Sequence, residues 1–291
     1  MSPTELKYIV ITPVRDEEEH LASTIESMLA QTIRPVEWVI VNDGSMDGTA
    51  KIINEYAARV PWIRAVHREN RGFRKSGGGV VEAFNDGLAV LTASNWDFIV
   101  KLDGDLAFDR DYFASCFENF QRDSRLGVGG GVICYLGEDG SKTFEPCPAF
   151  HVRGATKIYR RACWEAIGGF WPAPGWDTID EVKANMHGWN TRSFPDLHLV
   201  HHRITGSADG PWRGFIKNGR ANYISGYHPL FMMAKCGGRF VRGEIRASLA
   251  LLYGFVTGYL NRIPQVSDPE MIRYIRSQQL RRLRGAETIW K

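Results

Sequence analysis

Four short apolar runs punctuate the first hundred residues, and the stretches between them carry a helical period. The runs are YIVITPV from Tyr8, EWVIVND from Glu37, IRAVH from Ile63 and FIVKLD from Phe98. Each is short, apolar and bounded by polar or turn-forming residues, the pattern of an interior strand. Between the first two, Leu21, Ile25, Met28 and Leu29 fall on one face of a helix drawn over EEEHLASTIESMLAQT. Asp16 is expected as its N-cap, with Glu19 as the capping-box partner. TAKIINEYAARV reads as a second helix, and a third is expected over Val80 to Leu91, after a Gly-rich turn. Strands separated by helices imply βαβ units and a mainly parallel sheet, an α/β fold.

Polar residues gather where the strands end: TPVRDE after the first, NDGS after the second, DGD after the fourth. Taken alone, Asp103-Gly104-Asp105 reads first as a turn, since Asp and Gly are common turn residues. In open α/β sheets, however, ligands bind at the carboxyl ends of the strands. Three strands ending in this way at one rim favour a site. After Asp111 the pattern changes to a helix (YFASCFENFQRD), a glycine-rich strand (LGVGGGVICYL), and a loop leading into HVRGATKIYRRACWEAIGGF. GWDTIDEVKANMHGW then reads as a helix opening with acidic residues, and TRSFPDLHLVHHR as one or two short strands. From Trp212 the chain is helical and basic, so two parts are expected: residues 1–211, carrying the site, and a helical extension over 212–291.

Composition narrows the class. At 291 residues the chain can bury a full core, and 44% hydrophobic with 24% charged residues is ordinary for a soluble globular protein. Cys116, Cys134, Cys147, Cys163 and Cys236 show no paired spacing, which favours reduced thiols in a cytoplasmic protein over disulfides or zinc. The apolar run in MSPTELKYIVITPV is too short for a signal peptide, so secretion is not expected. The net charge of +3 conceals a split, because the part after Trp212 holds about ten more basic than acidic residues. Within it, ASLALLYGFVTGYL (Ala247 to Leu260) is shorter than the ~20 residues that cross a bilayer. It reads either as a buried helix or as one lying on an anionic membrane surface.

The rim suits a nucleoside diphosphate. Asp43 can accept hydrogen bonds from a base or ribose, and the backbone at Thr12 and Pro13 can pack against the base, with Arg15 and Glu17 nearby. Arg74 or Lys75, in a Gly-rich turn that opens a helix, can neutralise phosphate. Asp105 can hold a hard divalent ion, Mg2+ or Mn2+, across two phosphates. The bland alternatives are that Asp43 closes its Asp-Gly-Ser turn and that Lys75 is solvated.

TPVRDEEEHLASTIESMLAQTIRPVEWVIVNDGSMDGT, continued by NRG and by Asp103-x-Asp105, resembles the family 2 glycosyltransferases over about the first 200 residues. The resemblance implies the GT-A nucleotide-sugar fold, Rossmann-like with a mixed, mainly parallel sheet, and an inverting transfer from a UDP- or GDP-linked sugar. It implies that Pro13, Glu17 and Asp43 contact the nucleoside, that Asp103 lies against ribose and metal, and that Asp105 ligates Mn2+ or Mg2+. It places a carboxylate base on the acidic helix, usually within a Glu-Asp pair, where this chain instead reads GWDTIDE. Counting back from Gly188 favours Asp177; aligning on Gly175-Trp176 favours Asp180, with Glu181 as a helper. N-terminal acids that merely complement the helix dipole are the alternative. A histidine after that helix adds a metal or diphosphate contact in many GT-A enzymes. His201 is preferred to His202, and strand alternation points only one of them inward.

GPWRGFIKNGRANYISGYHPLFMMAK mixes aromatic and basic residues, apt for a lipid-linked glycan acceptor in surface-polysaccharide assembly at the inner face of the cell membrane, or for an ordinary helical subdomain. Several rivals lack their signals. A sugar nucleotidyltransferase needs a Gly-rich loop with Arg and Lys soon after the first strand. A processive synthase needs membrane spans and Q-x-x-R-W, where QLRRLR offers Leu283 in place of tryptophan. The acidic rim argues against a nucleic-acid partner. A non-catalytic nucleotide-sugar-binding protein is the non-enzyme alternative.

Overall fold

The computed structural model describes residues 6–73, 77–203 and 210–290. The four apolar runs form β1 (Tyr8–Val14), β2 (Glu37–Asn42), β3 (Ile63–His67) and β4 (Phe98–Leu102), all parallel in the order β3-β2-β1-β4. Every residue of β2 and β4 is buried, as continuous apolar runs require of strands covered on both faces. The crossovers are α1 (Leu21–Leu29), α2 (Thr49–Arg59) and α3 (Gly78–Ala89).

Beyond β4 the sheet turns mixed. β5 (Leu106–Phe108) and α4 (Tyr112–Arg122) lead to β6 (Leu126–Leu136), which hairpins with β7 (Lys142–Phe144). β8 (Thr156–Arg160) inserts antiparallel between β4 and β6; then come α5 (Arg161–Ile167), α6 (Trp176–Met186) and β9 (Asn190–His201). The completed order is β3-β2-β1-β4-β8-β6-β9-β5. TRSFPDLHLVHHR thus belongs to one long strand, broken by a register shift between Gly131 and Val132 of its partner β6.

One capping expectation fails. α1 begins at Leu21 after His20, with no side-chain cap. Asp16 instead adopts a left-handed φ of 55°, and its carboxylate accepts from the Met46 amide while its own amide donates to Ser45. Asp is among the few residues that tolerate that conformation, and here its hydrogen bonds reach across to the loop after β2. Asp16 therefore ties the loop after β1 to the loop after β2.

Two apolar cores cover the faces of the sheet, one containing Tyr8, Trp38, Phe113 and Phe117, the other Ile11, Val39, Phe84 and Trp164. A third joins Ile179 and Val182 of α6 to the helices that follow: α7 (Gly210–Ile224), α8 (Pro229–Val241), α9 (Ile245–Leu260) and α10 (Pro269–Leu283). The C-terminal helices are therefore anchored on the helix expected to carry the base.

Candidate active site

β1 ends at Val14, and two predicted acidic elements meet it there. The Asp43 amide donates to the Val14 carbonyl at 2.8 Å. On the other side Gly104 packs so closely that an added Cβ would lie 2.4 Å from a Val14 methyl. Glycine between the two aspartates is thus demanded by the close approach of strand ends, which explains the interrupted acidic pair.

Asp43 is bound by Arg68 and Arg71, while Arg15 donates to its backbone carbonyl at 3.2 Å and to Asn70 at 3.0 Å. A carboxylate offers about four acceptor positions, so two remain for a ligand. The Thr12 hydroxyl accepts from the Trp38 indole at 2.9 Å and is fully buried, leaving only backbone at this point for a base to pack against. Pro13 is held in register between β1 and β2, opposite Val41.

Asp105 accepts from His201 at 3.0 Å and from Arg203 at 3.2 Å; Arg203 also reaches Glu17. Burial works to raise the Asp105 pKa, but the His201 hydrogen bond and charge, with Arg203, hold it below the usual carboxylate range. Glu17 moves the other way, to about 8, through burial first and the neighbouring Asp105 charge second. Asp103 is raised by burial, with the Lys101 ammonium opposing. His202 turns aside, toward Ser23 at 3.3 Å and stacked on His20, so alternation along β9 does direct His201 alone to the acids.

Whether these residues fit a divalent ion can be judged from their chemistry. Glu17, Asp103 and Asp105 crowd negative charge, and among the described residues the buried Glu17 Oε2 lacks a hydrogen-bond partner. A hard cation would relieve both. Among the described residues no three Asp, Glu, His or Cys side chains form a ready cage. An ion such as Mg2+ takes one or two carboxylates and completes its shell with waters and substrate phosphates. Asp103 and Asp105 offer carboxylates of that kind, with the His201 imidazole hydrogen-bonded to Asp105 beside them.

The acidic helix adjoins this rim through Lys101, which reaches both Asp103 and the Gly154 carbonyl. A Cβ on Gly154 would lie 3.1 Å from the Trp176 ring and 3.6 Å from Asp177 Cβ. Gly77, at the start of α3, has a φ of +74° and packs on Pro174, two residues before α6. Arg74 and Lys75 lie outside the described residues.

The three candidate bases differ sharply. Asp180 is 1% exposed, bound to Lys157 at 2.8 and 3.0 Å and to the Tyr159 hydroxyl. Glu181 is bound to His151 at 2.8 Å, to the Val152 amide at 2.7 Å and to Lys157 at 3.0 Å. Asp177, half-buried, has no hydrogen bond to its carboxylate among the described residues, while Lys157 grips its backbone carbonyl at 2.6 Å. Helical phase does not separate the three, because α6 buries residues on most of its circumference. Arg203, Arg71, Lys101 and Lys157 escape a sequence reading, because nothing local pairs Arg203 with Glu17 across 186 positions.

The sequence profile described as "Glycosyl transferase family 2" matches residues 9–172, more than half of the chain. The chain belongs to glycosyl transferase family 2. Within the family it is 29% identical over 223 residues to EpsH of Bacillus subtilis (strain 168), which carries a glycosyltransferase name. That match covers 67% of this chain and 60% of EpsH. Poly-beta-1,6-N-acetyl-D-glucosamine synthase of Staphylococcus aureus (strain COL) is 31% identical over 113 residues, 39% of this chain and 25% of the synthase. The chain thus spans less than two thirds of either relative. Among solved structures it is similar to the mannosyltransferase PcManGT from Pyrobaculum calidifontis, in complex with GDP-Man and Mn2+. The TM-score is 0.58 at 18% identity, covering 99% of this chain and 78% of PcManGT, a likeness of fold. As a family 2 member the chain carries the GT-A fold.

Proposed function

We propose that this enzyme moves a sugar, non-processively and with inversion, from a UDP- or GDP-linked donor to a hydroxyl of a lipid-linked glycan, at the inner face of a bacterial membrane. Metal-bound nucleotide sugar in PcManGT and glucosaminan synthesis by the staphylococcal relative support the donor class and the glycan product. In this reading the backbone at Thr12 and Pro13, with Arg15, Glu17 and Asp43, surrounds the nucleoside. Asp103 lies toward the ribose and the ion, and Asp105 with His201 holds Mn2+ or Mg2+. When bound, the ion neutralises charge gathering on the leaving diphosphate. Lys75 or Arg74 adds cationic charge there. The segment from residue 212 serves the acceptor.

The observation that carries the proposal is the contrast along the first turn and a half of α6. Asp180 and Glu181 are bound by Lys157, whereas among the described residues the Asp177 carboxylate accepts no hydrogen bond and so can take a proton. As the acceptor oxygen bonds to the anomeric carbon, its proton passes to Asp177 and the bond to the diphosphate breaks. Attack opposite the leaving group inverts that carbon. Replacing Asp177 by Asn is expected to lower kcat by about 10²–10⁴-fold, the span of general-base catalysis, while nucleotide-sugar binding persists. Undiminished turnover would remove Asp177 from the role, and donor binding without any transfer by the native chain would make it a binding protein.

A further inference from the structure

The C-terminal helices present a surface that the protein's own core leaves bare. α9 turns Ala250, Leu251, Gly254, Phe255 and Gly258 inward; a Cβ on Gly254 would lie 2.0 Å from the Ile216 carbonyl oxygen of α7. The opposite stripe is just as apolar. Ile245, Leu249, Tyr253, Val256 and Leu260 recur at helical spacing, and all are exposed. α8 repeats the arrangement, burying Met232 and Cys236 and exposing Leu230, Met233, Phe240 and Val241. The two stripes run up to the same turn, where Val241 is 86% and Ile245 46% exposed. A surface helix of a water-soluble protein normally shows a polar outer face. An apolar area of this extent marks an interaction site.

Charge selects the occupant. From Gly210 to Arg262 there are eight Lys or Arg residues and a single acid, Glu244, already paired with Arg239 and Arg242. Arg213, Arg220, Arg242, Arg246 and Arg262 are exposed. A two-fold contact with a second copy would set this cationic surface against itself. An anionic bilayer pairs with both features, receiving the apolar stripe at the acyl boundary and the arginines at the headgroups. Among the described residues no helix is long and apolar enough to cross a membrane, so the contact is one of lying on the surface.

We propose that α8 and α9 rest on an anionic lipid surface and hold the catalytic cleft beside it. The link to the cleft is α7: one side abuts α9, and its Ala221, with Ser225 just past its end, meets Gly175, two residues before Asp177. A lipid-linked acceptor would then present its first sugars near Asp177 without leaving the bilayer. This last step rests on the proposed acceptor; the membrane contact itself does not.

Flotation of the full chain with vesicles of phosphatidylglycerol and phosphatidylcholine, against phosphatidylcholine alone, tests the contact. Binding is expected on the anionic vesicles and is expected to weaken with salt. Leu249→Glu with Tyr253→Glu should abolish it at unchanged Tm. Arg242→Ala and Arg246→Ala should each weaken partitioning about five-fold, the equivalent of roughly 1 kcal/mol per surface arginine. No flotation at low salt would overturn the proposal. So would lipid-independent dimerisation that the Leu249→Glu, Tyr253→Glu pair abolishes, which would assign the face to a second copy. Metal-dependent stabilisation by nucleotide sugars, measured on the same variants, should be untouched. Its absence from the native chain would sink the donor site while leaving flotation unaffected.

Discussion

Two acidic clusters lie on neighbouring parts of this molecule, and the fold treats them in opposite ways. Under α6, Asp180 and Glu181 are fully buried and almost wholly satisfied: Lys157, Tyr159, His151 and two backbone amides supply donors to the pair. At the rim, Glu17, Asp103 and Asp105 crowd together, Glu17 Oε2 has no hydrogen-bond partner among the described residues, and Arg203, holding two of the acids, is 44% exposed. Burial opposes ionisation in both. The first cluster answers with the fixed internal ammonium of Lys157; at the rim Lys101 does this for Asp103 alone, while Glu17 and Asp105 depend on His201 and the half-exposed Arg203, which a ligand can displace. Satisfied buried charge acts as framework, and charge left short of partners is available for chemistry.

The largest effect should come from breaking the satisfied cluster. Lys157→Met leaves Asp180 and Glu181 facing each other without their shared cation. Removing one partner of a buried pair costs about 3–5 kcal/mol, so thermal unfolding should shift strongly and α6 should loosen. If Lys157→Met unfolds at the native temperature, the pair is not the framework described. Replacing the whole set with apolar residues of similar volume should cost much less, since the penalty arises from stranded charge.

The rim should behave oppositely. Asp105→Asn relieves repulsion from Glu17 and Asp103 but gives up charge pairing with the nearly buried His201 and the half-exposed Arg203, so the ligand-free protein should lose far less Tm than Lys157→Met does. What it should lose is metal-dependent stabilisation by nucleotide sugar. For a donor at 100 times its Kd that amounts to about 2.7 kcal/mol. Chelation with EDTA should produce the same loss in the native chain and stop transfer. Full activity in EDTA would dismiss Asp105 as an ion ligand.

The contrast also explains what could be read from sequence. The parallel half was legible because its strands are unbroken apolar runs and its acids stand at strand ends, where topology alone brings them together. β8 was hidden: TKIYR places Lys157 at the centre of the sheet, fully buried, where composition suggests a solvated residue. Only the distant Asp180 and Glu181 make that burial tolerable. The choice between Asp177 and Asp180 stayed open for the same reason, since α6 buries residues on most of its circumference. The phase of a helix cannot be fixed when both sides are covered. Arg203 was equally opaque, because its partners Glu17 and Asp105 come from β1 and β4 ends far along the chain.

The smallest effect probes the edge of the satisfied cluster, where it meets solvent. His151 sits against Glu181 at 2.8 Å, with 17% of its side chain exposed. Burial works to lower its pKa, but the Glu181 charge and hydrogen bond outweigh burial and raise it above the usual histidine value. A group whose folded pKa is raised stabilises the fold fully below its unfolded pKa, and that contribution fades as pH climbs through the folded value. Native stability should therefore fall slightly from about pH 6.5 upward, by no more than about 1 kcal/mol for such a pair. His151→Gln, which can still donate to Glu181 but carries no titrating charge, should flatten that slope. Parallel Tm-versus-pH curves for the native chain and the variant would show that His151 is neutral beside Glu181. The ammonium of Lys157 would then be the only cation the cluster needs.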